Sequence, residues 1–281
     1  APASVPPPQE ESGSTNLSTP YPITLSKVGL HNINVKVDDT AISLLDFTTG
    51  LNWQGRALTL TPTHIQSLLI ALPKAAKVVD EQVVQPKVQQ PQPDEKPLGE
   101  TLQEMFAKPL LPALPDFQLP LDITVQELLG EQLRLTGDTD VSITRLLLKA
   151  KTADRHLQLE TFDVDSPQGQ LNASGDAQLA DNWPVNFALS GTLNFDPIKG
   201  EKIKMNLSGA MREELKLGLN LSGPLRAQLD AAAQPAVAGL PLALKLTSPQ
   251  LRWPLTGPVQ YQADNLDYQF KGKATDYVMS L

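Results

Sequence analysis

The chain reads as an all-β protein, and three observations carry that expectation. From Leu215 to Leu229 every odd position is Leu, Gly or Ala, with Leu at six of the eight, while the even positions are Lys, Gly, Asn, Ser, Pro, Arg and Gln. Alternation of this kind gives a strand one apolar and one wet face, because successive side chains point to opposite sides. A Ser/Thr-Gly signature recurs as LTGDT, ASGDA, LSGTL, LSGAM, LSGPL and LTGPV, with glycines at 137, 175, 191, 209, 223 and 257 and gaps of 38, 16, 18, 14 and 34 residues. The long gaps are near twice the short ones, Gly239 sits near the midpoint of the last, and a unit of about 16 residues fits two short strands and a turn. Helical period is almost absent, the exception being Leu98, Leu102, Met105 and Phe106 at i, i+4, i+7 and i+8 in GETLQEMFAK.

In chain order, residues 1–18 are rich in Pro, Ser and Glu without periodicity and are expected to form a flexible leader. Residues 19–61 alternate: Ile33, Val35 and Val37 against Asn34 and Lys36, a VDDT turn, then Ile42 to Phe47, Leu51 and Trp53, and a QGR turn before Leu58 and Leu60. These are short antiparallel strands. Over 62–120 the pattern breaks into a Pro-rich, partly helical insertion. THIQSLLIALPKAAKVV predicts a short helix stopped by Pro73 or a partly helical segment on either side of it, the Gln- and Pro-rich run after it excludes helix and central strand, and a second short helix is expected near 98–107. Period two then holds over 121–281: Leu171, Ala173, Gly175, Ala177 and Leu179 share one parity, as do Trp183, Val185, Phe187, Leu189, Gly191, Leu193 and Phe195, then Ile203, Met205, Leu207, Gly209 and Met211. SGP at 222–224 suits a hairpin turn, whereas Gly191, on parity inside its strand, suits a sharp bend or a close backbone approach. Repeated glycines at matching height would curl the sheet into a trough. The first residues carry no initiator Met or signal peptide and the last still alternate, so a piece of a longer protein is expected.

Composition excludes several functions. A net charge of −8 and singly scattered basic residues speak against nucleic acid. The absence of cysteine removes thiolate metal sites, disulfides and Cys nucleophiles, and suits an oxidising compartment. The longest apolar runs, SLLIALP and AVAGLPLAL, are far shorter than the roughly 18 residues of a spanning helix. HExxH, GxSxG, P-loop and GxGxxG patterns are missing, and His31, His64 and His156 have no ligand spacing, so no enzyme, catalytic residue, metal or cofactor is expected. Asp163 and Asp165 open a calcium-loop-like DVDSPQG, but Gln168 and Ser174 stand where Gly and Glu are needed, and a Pro-Gln-Gly turn accounts for it. The N-x-S sequons at Asn172, Asn206 and Asn220 arise from the strand repeat.

The apolar parity raises the question of its cover. Each buried Leu or Ile contributes roughly 1.5–3 kcal/mol, against a whole-domain stability of about 5–15 kcal/mol. A second sheet, making a sandwich or barrel, is one cover, and long apolar ligands are another; helices are too few. Only 5% of residues are aromatic, which gives smooth aliphatic walls suited to acyl chains. The repeat favours an array that grows by adding units over a sheet that closes.

The residues also carry a resemblance. STPYPITLSKVGLHNINVKVDDT, DFTTGLNWQG, LIALPK, PQPDEKPLGETL, GEQLRLTGDTD, LNASGDAQLADNWPV, KGEKIKMNLSGAMREEL, LNLSGP and QYQADNL closely resemble the N-terminal part of the TamB family, within the AsmA-like group, from about Leu17 to Leu281. The resemblance implies an elongated, open, curled β-groove with an aliphatic lining, in a periplasmic protein anchored to the inner membrane of Gram-negative bacteria. It implies phospholipids as cargo moving between the membranes, and TamA as a partner of the full-length protein rather than of this segment. The anchor helix of the family is not among these residues. The expected lining is Trp183, Val185, Phe187, Leu189, Leu193, Phe195, Ile203, Met205, Leu207, Leu215, Leu217, Leu219, Leu221 and Leu225, all on one parity. The rival expectation is a protein-assembly scaffold whose strand edge templates a client. Residues 62–120 could plug the groove or brace it.

Overall fold

The computed structural model describes residues 17–73, 105–111 and 114–276. Nearly all of the expected leader lies outside them, as does the helix expected at 98–107 except for Met105 and Phe106, which are helical. The described strands are β1 (Thr19–Val37), β2 (Thr40–Gly55), β3 (Ala57–Leu60), β4 (Thr63–Ala71), β5 (Asp122–Thr136), β6 (Val141–Ala153), β7 (His156–Ser166), β8 (Gly169–Gln178), β9 (Pro184–Leu193), β10 (Lys202–Ala210), β11 (Leu215–Ser222), β12 (Arg226–Ala233), β13 (Pro241–Trp253) and β14 (Tyr261–Lys273). All fourteen belong to one sheet, a long, curled one. From β5 to β14 each strand pairs with the next in sequence, antiparallel throughout. The expected turns at VDDT, QGR and SGP join β1 to β2, β2 to β3 and β11 to β12.

The first half departs from a simple meander. β3 and β4 lie end to end in one row, both antiparallel to β2 and both parallel to β5. Parallel neighbours cannot be joined by a hairpin and need a crossover. Residues 72–121 are therefore the crossover that returns the chain from the end of β4 to the start of β5.

Thr63–Ala71 is thus a strand where a helix was expected. The reason is a line of left-handed residues at which one opposed pair is missing while the register holds. The register skips one row between Leu30 and Ile33 of β1, Leu44 and Phe47 of β2, Ile65 and Leu68 of β4, Gly130 and Leu133 of β5, and Ile143 and Leu146 of β6. Asn32, Ser67 and Gln132 on this line have φ of 54°, 54° and 56°. Two consecutive residues there leave the apolar face, so Ile65 and Leu68 stand three apart and imitate helical spacing.

The described part of the crossover lies along one rim of the trough as a brace. Gly239 donates to the Phe106 carbonyl (2.8 Å), Leu111 to Pro235 (3.1 Å), Phe117 to Leu179 (2.8 Å) and Leu119 to Asp154 (2.8 Å). Arg56 Nη2 donates to the Leu119 carbonyl at 2.9 Å. Each contact falls on a hairpin end of that rim, between β2 and β3, β6 and β7, β8 and β9, or β12 and β13. The apolar side chains that are buried among the described residues are Ala177, Leu179, Ala180, Val185 and Leu240. They cluster at this rim, so the conventional core is a thin seam between brace and hairpin ends.

At the opposite rim Glu201 is 1% exposed, and its Oε2 accepts from the Leu225 amide at 2.7 Å. This carboxylate ties the turn before β10 to the turn before β12.

Candidate binding groove

Directly opposed residues of neighbouring strands share a face, so the register identifies the rows that run along the trough. One row is Leu25, Leu51, Leu60, Val125, Ala150, Leu159, Gly175, Phe187, Leu207, Leu217, Ala231, Leu244 and Phe270. Every member is apolar or glycine, from the first strand to the last. A second row, from Leu128 through Leu148, Phe162, Ala173, Leu189, Met205, Leu219, Leu229 and Leu246, ends at Tyr268. A third passes from Leu30 through Phe47, Ile65, Gly130, Leu146, Val164, Leu171, Gly191, Ile203 and Leu221 to Ala227. At about 4.8 Å per strand, the first row makes an unbroken aliphatic track of about 60 Å.

Eleven of the fourteen expected lining residues lie on β9, β10 and β11, in mutual register: Leu189, Met205 and Leu219 are opposed in turn, as are Phe187, Leu207 and Leu217. Val185 is buried at the brace rim, and the other ten are half-buried. Half burial is what flanking neighbours give a side chain on an uncovered sheet; a second sheet would bury it. Trp183 lies in the turn between β8 and β9, Leu225 in the turn before β12, and Phe195, 43% exposed, beyond the end of β9. These three stand at the rims rather than on the floor.

The list drawn from parity omitted the continuation of the rows into β1–β7, including Leu25, Leu51, Leu159 and Phe162. Parity does not survive the bulges between Val125 and Leu128 or between Leu159 and Phe162. Only the register reconnects these residues to the later strands.

The other face is polar and held by cross-strand pairs. Lys151 Nζ meets Glu160 Oε1 at 2.8 Å, Lys149 Nζ meets Glu127 Oε2 at 3.0 Å, and Asn172 Nδ2 donates to Asp163 Oδ1 at 2.8 Å. The three histidines sit beside carboxylates: His31 by Asp46 (3.2 Å), His64 by Glu131 (2.8 Å) and His156 by Asp176 (3.9 Å). Among the described residues no three metal-binding side chains converge. Asp165 faces Arg145 at 3.9 Å, and the turn between β7 and β8 falls at Pro167 and Gln168. At the last edge, hydrogen bonds from the Gln262 and Gln250 amides hold the Asp264 carboxyl below its ordinary pKa.

Among the described residues one apolar face lies on a single open sheet with no second layer over it. A family model described as TamB, N-terminal domain, matches residues 1–281. This chain belongs to the TamB N-terminal domain family. It is similar to the translocation and assembly module subunit TamB of Haemophilus influenzae, with 27% identity over 258 residues, 85% of this chain. The TamB N-terminal chain spans 19% of that relative's length. No solved structure matches it. Among the described residues no helix is long and apolar enough to cross a membrane.

Proposed function

We propose that this TamB N-terminal segment is a stretch of periplasmic lipid path, in a protein anchored to the inner membrane, along which phospholipids pass between the two membranes. The observation that carries the reading is the unbroken row from Leu25 to Phe270 on an uncovered face. Acyl chains lie along the rows, perpendicular to the strands, and displace water from half-exposed Leu and Ile side chains. Head groups stay at the open mouth, in contact with water. The path is passive: neighbouring row positions are alike, so a chain moving by one strand exchanges one aliphatic contact for another. TamA enters through the full-length protein, and no catalytic step is part of this reading.

The test is a photo-crosslinking residue at position 217, on the groove face, with position 216 on the polar face as control, in protein purified from cells. Phospholipid attached at 217 and not at 216 is expected; lipid at neither position in folded protein overturns the reading. The double variant Leu217→Asp with Leu219→Asp places two carboxylates on adjacent rows and is expected to abolish lipid transfer while circular dichroism stays that of a β-sheet. Normal transfer in the folded double variant would count against a lipid path.

A second reading is favoured by β1. This 19-residue strand pairs with β2 alone among the described strands and contains no acidic residue. Its Tyr21, Val35 and Val37 are 77%, 45% and 59% exposed. Such an edge can add a client strand by backbone hydrogen bonding, in keeping with the relative's name as an assembly-module subunit. A scaffold of this kind needs the edge backbone and tolerates the double Asp variant, so the same variant separates the two.

A further inference from the structure

The brace along the rim has a feature that mere packing does not require: it has no slack. Leu114 is held at the turn between β10 and β11, where Arg212 donates to its carbonyl oxygen, and Leu119 is held at the turn between β6 and β7, where its amide donates to Asp154. Those turns are four strand spacings apart, about 19 Å at about 4.8 Å each. The five residue steps between them reach at most about 18 Å when fully extended, and the Arg212 side chain spans the remainder. Pro115 and Pro120 favour that extended form.

At the middle of the span, Asp116 is a clasp between two hairpins. Its Oδ1 accepts from Arg212 Nη2 at 2.9 Å, and its Oδ2 lies 3.7 Å from Arg155 Nη1. Arg212 comes from the turn between β10 and β11, and Arg155 from the turn between β6 and β7. Arg212 also donates to the Asp181 carbonyl, in the hairpin that lies between them. Asp116 and Arg212 together thus tie three successive hairpin ends of one rim. The carboxylate and both guanidinium groups are a third to two-fifths exposed, so salt reaches the clasp.

We propose that residues 114–121 are a taut latch, fastened at Asp116, that fixes the spacing of the hairpin ends along this rim of the trough. A slack strap would follow the rim wherever it moved, whereas an extended one resists spreading in the way a tie-rod does. Releasing Asp116 lets successive hairpins splay apart along the rim. This device belongs to the shape of the groove and holds whatever the groove carries.

The chain has no cysteine, so spin labels can be placed cleanly at Ala153→Cys and Glu214→Cys, at the ends of the β6–β7 and β10–β11 hairpins that the latch joins. Pulsed electron–electron resonance on the labelled full chain should give one narrow distance. With Asp116→Ala added, the distribution is expected to broaden at least about twofold and shift outward, and hydrogen exchange at the Phe117 and Leu119 amides should rise roughly tenfold or more. An unchanged distance and unchanged exchange in the folded variant would overturn the proposal. Should that variant fail to fold, the labelled chain without it serves: raising NaCl to about 1 M, where the screening length is about 3 Å, should widen the distance reversibly, and a distance indifferent to salt overturns the latch.

Discussion

At the scale of single residues, glycine on the groove face acts by what it leaves out. Gly191 lies inside β9, opposed by Leu171 and Ile203. A Cβ there would collide with the Gln170 carbonyl oxygen and stand 2.6 Å from Leu171 Cδ2. In an ordinary strand, replacing Gly by Ala stabilises through lost chain entropy; here the neighbour on one side is backbone and cannot yield. Gly191→Ala is expected to destabilise by about 1–3 kcal/mol, measurable as a lower urea midpoint. The Ser-Gly repeat therefore has two structural meanings in this chain. At Gly223 it sits in a hairpin turn, and at Gly191 it brings β8 against β9, which is a difference that spacing alone does not express.

At the scale of elements, β4 shows how a strand can be misread. Ile65, Leu68 and Ile70 share the apolar face only because Ser67, at φ 54°, flips the alternation between the first two. A left-handed backbone costs an L-residue about 1–2 kcal/mol relative to glycine, and a β-branched side chain suits it least. Ser67→Gly is accordingly expected to raise the unfolding midpoint, and Ser67→Val to lower stability by about 1–2 kcal/mol. The two variants change side-chain size in opposite directions, so opposite shifts in calorimetry would trace the effect to φ. Equal destabilisation by both would instead point to lost contacts of the hydroxyl. The line of missing pairs through β1, β2, β4, β5 and β6, with left-handed residues on β1, β4 and β5, is aligned across strands, which is why a local irregularity becomes a coherent fold of the sheet.

At the scale of the whole molecule, each strand is supported chiefly by its two neighbours and, at one rim, by the brace. Stability of such a layer resembles a sum of local and nearest-neighbour terms, as in repeat proteins. Unfolding is expected to be graded, with β1 and β14 exchanging their amides first and β8–β10, beneath the brace, last. Hydrogen exchange followed by mass spectrometry reads this order directly; a single cooperative loss of protection across all strands would show that the sheet behaves as one closed core. The same openness gives the proposed path its continuity, since a second sheet would have filled the space acyl chains are proposed to take.

Period-two alternation from β8 to β12 was sufficient to identify the all-β class and an apolar parity whose residues on β9, β10 and β11 stand opposed to one another, because side-chain direction in a strand follows from local backbone geometry. The Pro-rich composition of 62–120 likewise marked a segment outside the regular repeat, although Thr63–Ala71 within it is a strand. Three features were decided only by the tertiary structure: the parallel placement of β3 and β4 beside β5, the joining of rows across bulges, and the docking of residues 105–111 and 114–121 along one rim. Each depends on contacts between residues far apart in the chain, such as Asp116 with Arg212. Alternation constrains a residue against its immediate neighbours and carries no information about which distant carboxylate a guanidinium will meet.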